Sequence, residues 1–181
     1  MVIPWAENGS LRWYLKRKPD ADRHSLLREV AGAVAYLHAR TPPVVHGDLH
    51  VDNVLISAQE HVQLSDFGLS RVLEDTSRSA SVVGIGILAY QAPELHDDHL
   101  PTMPSDVFAF GMLIVETYSG ARPLSRHRGT GVVIAIMNHE RPARDEITRS
   151  DFPEQLWQLA EECWAHDQCL RPNATVVYQR L

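Results

Sequence analysis

Between Ser105 and Val115 the chain places Val107, Phe108, Phe110, Met112, Leu113, Ile114 and Val115, and on a helix these apolar side chains point almost all the way round. A helix with no polar face has to be enclosed, so the remaining elements must wrap it. With 181 residues, 44% of them hydrophobic, there is material for one such core, and a single domain is expected.

The wrapping elements are legible. Ser10 is a suitable N-cap for a short helix over 11–18, which Pro19 ends. From Asp22 to Ala39, apolar residues at Leu26, Leu27, Val30, Ala31, Val34, Ala35 and Leu37 follow helical spacing and predict a helix buried along one face. Thr41-Pro42-Pro43 breaks it. Three short β-type runs follow, Val44-Val45, Val54 to Ile56 and Val62 to Leu64, predicting a loop and a small hairpin resting on the preceding helix. "EDTSRSASVVGIG", from Glu74, predicts a mobile surface loop. Further helices are expected over 131–138, from about 153 to 163, and from about 173 onward. The fold class is α+β, mostly helical, with its few strands gathered around 44–64.

A net charge of −6, and no Lys/Arg run longer than Lys16-Arg17-Lys18, argue against a nucleic-acid partner. Cys163 and Cys169 form no CxxC pair, so neither a zinc site nor a disulfide framework is indicated, and a reducing, cytoplasmic location fits. No apolar run approaches the roughly 20 residues needed to span a bilayer, and no signal peptide is evident; attachment through flanking sequence stays open.

The densest polar stretch is His46-Gly47-Asp48-Leu49-His50-Val51-Asp52-Asn53. It admits three readings. The polar residues can simply be satisfied within a turn. Alternatively His46, Asp48 and His50 share one face of an extended strand and bind a metal, with Asn138-His139-Glu140 as a distant complement. The third reading joins this stretch to Asp66-Phe67-Gly68, directly after the run at 62–64. A carboxylate at a strand end followed by Phe-Gly offers a cation site with a turn beside it. Magnesium keeps several waters, so Asn53, Asp66 and nucleotide phosphates suffice as its other ligands, and Asp48 is left to accept a proton from a hydroxyl.

With those residues in place the chain resembles the C-terminal lobe of eukaryotic protein kinases, in the tyrosine-kinase-like and receptor-type Ser/Thr group. His46 to Asn53 is similar to H-R-D-L-x-x-x-N, Asp66-Phe67-Gly68 to D-F-G, and Ala92-Pro93-Glu94 to A-P-E. Asp106 to Gly111 resembles the opening of that family's central buried helix, and Cys163-Trp164 with Arg171-Pro172 its "CW…RP" ending. The resemblance runs from a hinge-like Val2-Ile3-Pro4-Trp5 to the last helix, and identifies 1–181 as a partial kinase domain.

It implies ATP and Mg²⁺ as cofactors and a protein substrate phosphorylated on Ser or Thr, with Tyr open. Asp48 and His50 are then catalytic; Asn53, Asp66, Phe67 and Gly68 hold nucleotide, with Asn53 and Asp66 on the metal. His46, Glu94, Asp106 and Arg171 are structural: Glu94 pairs with Arg171, and Asp106 accepts backbone N–H groups of the catalytic loop.

Four departures qualify the match. These 181 residues hold no G-x-G-x-x-G followed by a V-A-I-K-like strand, so the N-terminal lobe is missing from them, and near-inactivity of this lobe alone is expected. Gly47 replaces the arginine that reads activation-loop phosphate, so phosphorylation of Thr76, Ser77, Ser79 or Ser81 is not expected to be required. His50 replaces a lysine, and Ile87 a threonine. "HGDLH…N" is also close to the loop of small-molecule phosphotransferases such as aminoglycoside kinases, whereas A-P-E and "CW…RP" belong to protein kinases. A pseudokinase or single-lobe binding protein is the alternative.

Overall fold

The fold is given by a computed structural model, which describes residues 5–66, 71–72, 87–97 and 100–181. At its centre is α3 (Met103–Ser119), in which every residue from Ser105 to Tyr118 is buried. Its ends are set locally. The Thr102 hydroxyl accepts from the Ser105 amide while the Ser105 hydroxyl accepts from the Thr102 amide, closing a capping box. Gly120 then stops the helix at a φ of 70°, in the left-handed region that glycine enters without steric cost.

Three helices enclose α3. α2 (Arg23–His38) starts at Asp22, whose side chain accepts from the Ser25 amide, and it packs against both α3 and the C-terminal α6 (Ala174–Arg180). α5 (Glu154–Cys163) lies along the other side so closely that a Cβ at Gly111 would sit 2.9 Å from Cys163 Cβ and 3.1 Å from the Ala160 carbonyl. α1 (Leu11–Arg17) and α4 (Thr130–Met137) complete the helical set. Aromatic contacts fill the gap behind α5, with Trp157 edge-on to Trp164 at 5.4 Å and Tyr118 against Phe152 at 4.7 Å.

The strands are short. β2 (Val54–Ile56) and β3 (Val62–Leu64) pair antiparallel, Val54 opposite Leu64 and Ile56 opposite Val62, as the sequence predicts. The hairpin does rest on α2, because the Glu29 carboxylate accepts the Val62 amide at 2.8 Å. β1 (Val44–Val45) pairs instead with β4 (Arg71–Val72), a two-residue strand that carries too little pattern to be seen in the sequence. One cap differs from expectation. Ser10 precedes α1 but its hydroxyl makes no cap; it is buried without a partner, because the Ser10 backbone is drawn into a bridge with Leu55 beside the hairpin. The segment from Glu74 to Gly86 and residues 1–4 lie outside the described residues, as do Phe67 and Gly68.

Candidate active site

Asp106 organises the polar loop from below. Its side chain is 1% exposed; one carboxylate oxygen accepts the Gly47 amide at 2.8 Å, and the other accepts the His46 amide at 2.8 Å and His38 Nε2 at 2.9 Å. An internal carboxylate with three donors is satisfied, and it fixes two consecutive peptides of the loop. Gly47 stands at a φ of 80°, which explains glycine at this position in backbone terms.

His46 is fully buried. Its Nε2 lies 3.0 Å from the Ser65 carbonyl, which can only accept, and its Nδ1 accepts the Asp48 amide at 3.3 Å. Both contacts require the neutral Nε2–H tautomer. Burial pushes the His46 pKa down, favouring that same form, with the Asp106 charge opposing it.

Asp48 and Asn53 meet across one turn. Asn53 Nδ2 donates to the Asp48 carbonyl at 2.9 Å and to its carboxylate at 3.2 Å, so the amide oxygen Oδ1 is the end left for other use. The Ser65 amide and hydroxyl both donate to the Asn53 carbonyl, at 2.9 and 3.1 Å, tying the loop to the end of β3. Asp66 follows at once, exposed and at a φ of 58°, a left-handed conformation that aspartate tolerates better than most residues. Thus Asn53 and Asp66 flank a single hydrogen-bonded junction. Asn53 offers an amide oxygen and Asp66 a carboxylate, the hard donors that suit a magnesium ion retaining water and phosphate oxygens. Among the described residues no group of three or more His, Cys, Asp or Glu side chains converges as a metal cage.

His50 is buried, its Nδ1 accepting the Asp52 amide at 3.2 Å and its Nε2 3.6 Å from the Asp48 carboxylate. Its ring leans on Tyr90 at 5.9 Å. Further out, Glu94 and Arg171 form a two-point pair at 2.6 and 2.8 Å, and the Arg171 guanidinium, 0% exposed, also donates to the carbonyls of Ala165, Pro104 and His166.

Sequence reasoning missed one cluster. Arg12 from α1 grips Asp52 with two hydrogen bonds at 2.8 and 3.0 Å and also reaches the buried Glu116 of α3, whose other oxygen accepts the Tyr90 hydroxyl at 2.5 Å. The hydrogen bond from Arg12 holds the Asp52 carboxyl below its ordinary pKa, and burial, then Glu116, raise that of Tyr90. These four residues come from four distant segments, and no local spacing announces them. They brace the loop between His50 and Asn53 against the central helix. His38, on Asp106, was missed for the same reason.

In this helical lobe, then, a buried aspartate suspends an H-x-D loop whose Asp48 carboxylate is bonded by Asn53, and Asp66 follows the Ser65 that bonds the Asn53 carbonyl. Residues 1–181 match the family model for protein tyrosine and serine/threonine kinases, and the chain belongs to that family. It is similar to calmodulin-binding receptor-like cytoplasmic kinase 2 of Arabidopsis thaliana, 35% identical over 190 residues, covering 100% of this chain and 45% of that protein. It is likewise similar to receptor-interacting serine/threonine-protein kinase 3 of Rattus norvegicus, 34% identical over 189 residues, covering 96% of this chain and 39% of that protein. L-type lectin-domain containing receptor kinase S.1 of Arabidopsis thaliana is 30% identical over 191 residues, 96% of this chain and 29% of that protein. The chain therefore spans less than half the length of each of these relatives.

Proposed function

We propose that these residues form the C-terminal lobe of a protein kinase that transfers the γ-phosphoryl group of ATP to a Ser or Thr hydroxyl of a protein. The observation that carries this is the Asp48–Asn53 junction, suspended from Asp106 and bonded through the Asn53 carbonyl to Ser65, the residue before Asp66. Asp48 accepts the proton of the incoming hydroxyl as the new O–P bond forms and the bond from phosphorus to the ADP oxygen breaks. Asn53 supports this by fixing the Asp48 carboxylate with its amide N–H. His50, with Nδ1 engaged, has its Nε2–H on the side of the same carboxylate. A magnesium ion, held when bound by Asn53 Oδ1 and the Asp66 carboxylate, supplies neutralisation of the phosphate charge. Phe67 and Gly68, which lie outside the described residues, are assigned to the nucleotide on the family resemblance alone.

The reaction belongs to the cytoplasm on this reading, in keeping with free Cys163 and Cys169 and with the finding that no described helix is long and apolar enough to cross a membrane. Residues 1–181 contain no phosphate-covering glycine loop and no strand lysine, so this lobe by itself positions only one side of ATP and should turn over very slowly. The test is a γ-phosphoryl transfer assay on the native protein and on residues 1–181. The native protein should phosphorylate a Ser/Thr substrate, Asp48→Asn should reduce this by at least about 10²-fold, and phosphorylation of Thr76, Ser77, Ser79 or Ser81 should not be needed. Turnover of the native protein that survives Asp48→Asn removes Asp48 as the base.

A further inference from the structure

A groove of about 570 Å³ opens beside the catalytic loop, between the turn at Leu88–Tyr90, the connection from Arg122 to Gly129, and the start of α4. Ile87 lines both this groove and the smaller recess that contains Asp48, so a peptide lying in the groove leads up to the base. The groove's wall is basic: Arg12, Arg122, His127 and Arg128 line it, and among the described residues no Asp or Glu does. Two of the four are already engaged, Arg12 by Asp52 and Glu116, and His127 by Glu140 at 2.8 Å.

Arg122 and Arg128 differ. Both are exposed, and neither guanidinium has an ion-pair partner among the described residues. α4 begins at the same wall, at Thr130, with no side-chain cap and no acidic residue in its first turn, although its Gly131 and Val132 amides donate to the Arg128 and Gly129 carbonyls. On a chain of net charge −6 this is a local reversal of sign.

We propose that this groove selects acidic peptides: Asp or Glu side chains on one flank of the acceptor hydroxyl meet Arg122 and Arg128. The proposal rests on the phosphotransfer reading for its acceptor hydroxyl, but the binding it describes needs no turnover. Because both arginines stay wet, the contribution is to selection and encounter and is sensitive to salt.

The experiment uses the Asp48→Asn form of the native protein and fluorescence anisotropy of labelled peptides, each with one central Ser and either Glu, Ala or Lys on one flank or the other. Glu on one flank should tighten binding by about tenfold over Ala at about 0.05 M salt, with the gain collapsing near 0.5 M. The double reversal Arg122→Glu with Arg128→Glu should abolish the preference, and Arg122→Lys with Arg128→Lys should keep most of it; both sites are exposed, so melting temperature should hold. Absence of a Glu preference on either flank, or a preference that survives the reversal, overturns the proposal. If the Asp48-intact protein transfers no phosphate while the preference and its loss on reversal are seen, the groove stands as a peptide site and the phosphotransfer reading falls. Turnover indifferent to flanking acids overturns the groove alone.

Discussion

At the scale of single residues, buried charge is what this lobe depends on most. The Arg171 guanidinium has no contact with solvent, and among the described residues Glu94 is the carboxylate that neutralises it. Glu94→Ala leaves that cation stranded and should cost about 3–5 kcal/mol of unfolding free energy in a urea titration. Asp151→Ala, which removes the exposed partner of Arg149, should cost less than about 1 kcal/mol. Equal losses would mean that the Glu94 pair is solvated. His46 supplies a pH dependence of known sign. Its folded pKa lies below the ordinary 6.5 because burial disfavours the cation, so between the two values the unfolded chain binds more protons than the folded one. Stability is complete above pH 6.5 and declines as pH falls through that window. Protonation would also remove Nδ1 as acceptor for the Asp48 amide. Melting temperature measured from pH 8 to 5 should drop on the acid side, and the drop should shrink in His46→Tyr; an unchanged profile in that variant would place the acid sensitivity elsewhere. Asp48, His50, Asn53 and Asp66 stand out in the sequence as candidates because their chemistry is concentrated in two short runs. Arg12, Tyr90, Glu116 and His38 could not, since each is one polar residue in an unremarkable local context whose partner lies far along the chain.

At the scale of elements, the helices follow from periodicity and caps, most of their predicted ends falling within a residue of those observed, while α3 runs two residues before and four beyond the apolar run from Ser105 to Val115. What periodicity does not carry is the distance between helices. Gly111 has an ordinary helical conformation, yet α5 lies against it with backbone as well as side chain. Gly111→Ala would gain about 1 kcal/mol of helix propensity but has to displace the Ala160 carbonyl, and overpacking of this kind costs about 1–3 kcal/mol. The net change in a thermal melt should be destabilising, and a stabilised variant would show that α5 can step aside. The Ser10 cap fails for a related reason: a capping preference of about 1 kcal/mol is outweighed when the same backbone can join the hairpin through Leu55. β4 escaped notice because two residues cannot display a period of two.

At the scale of the whole molecule, α3 makes the core one cooperative unit, and the two thiols report on it. Cys163 is buried against Gly111, and burial raises its pKa to about 12, whereas Cys169 is exposed. At neutral pH a thiol reagent should label Cys169 at once and Cys163 only as fast as the core opens, which intact-mass measurement can follow. Rapid labelling of both would show that the α3–α5 seam opens without global unfolding. The sequence by itself determined the α+β class, the enclosed central helix and which polar residues cluster as candidates, because hydrophobic periodicity and clustered polar chemistry are local properties of a chain. The tertiary structure alone decided which charges neutralise one another, that Arg12 is consumed by Asp52 and Glu116 while Arg122 and Arg128 have no ion-pair partner among the described residues, and that these two line a groove sharing Ile87 with the recess that holds Asp48. Electrostatic pairing depends on distances between segments tens of residues apart, and only the folded chain sets those distances.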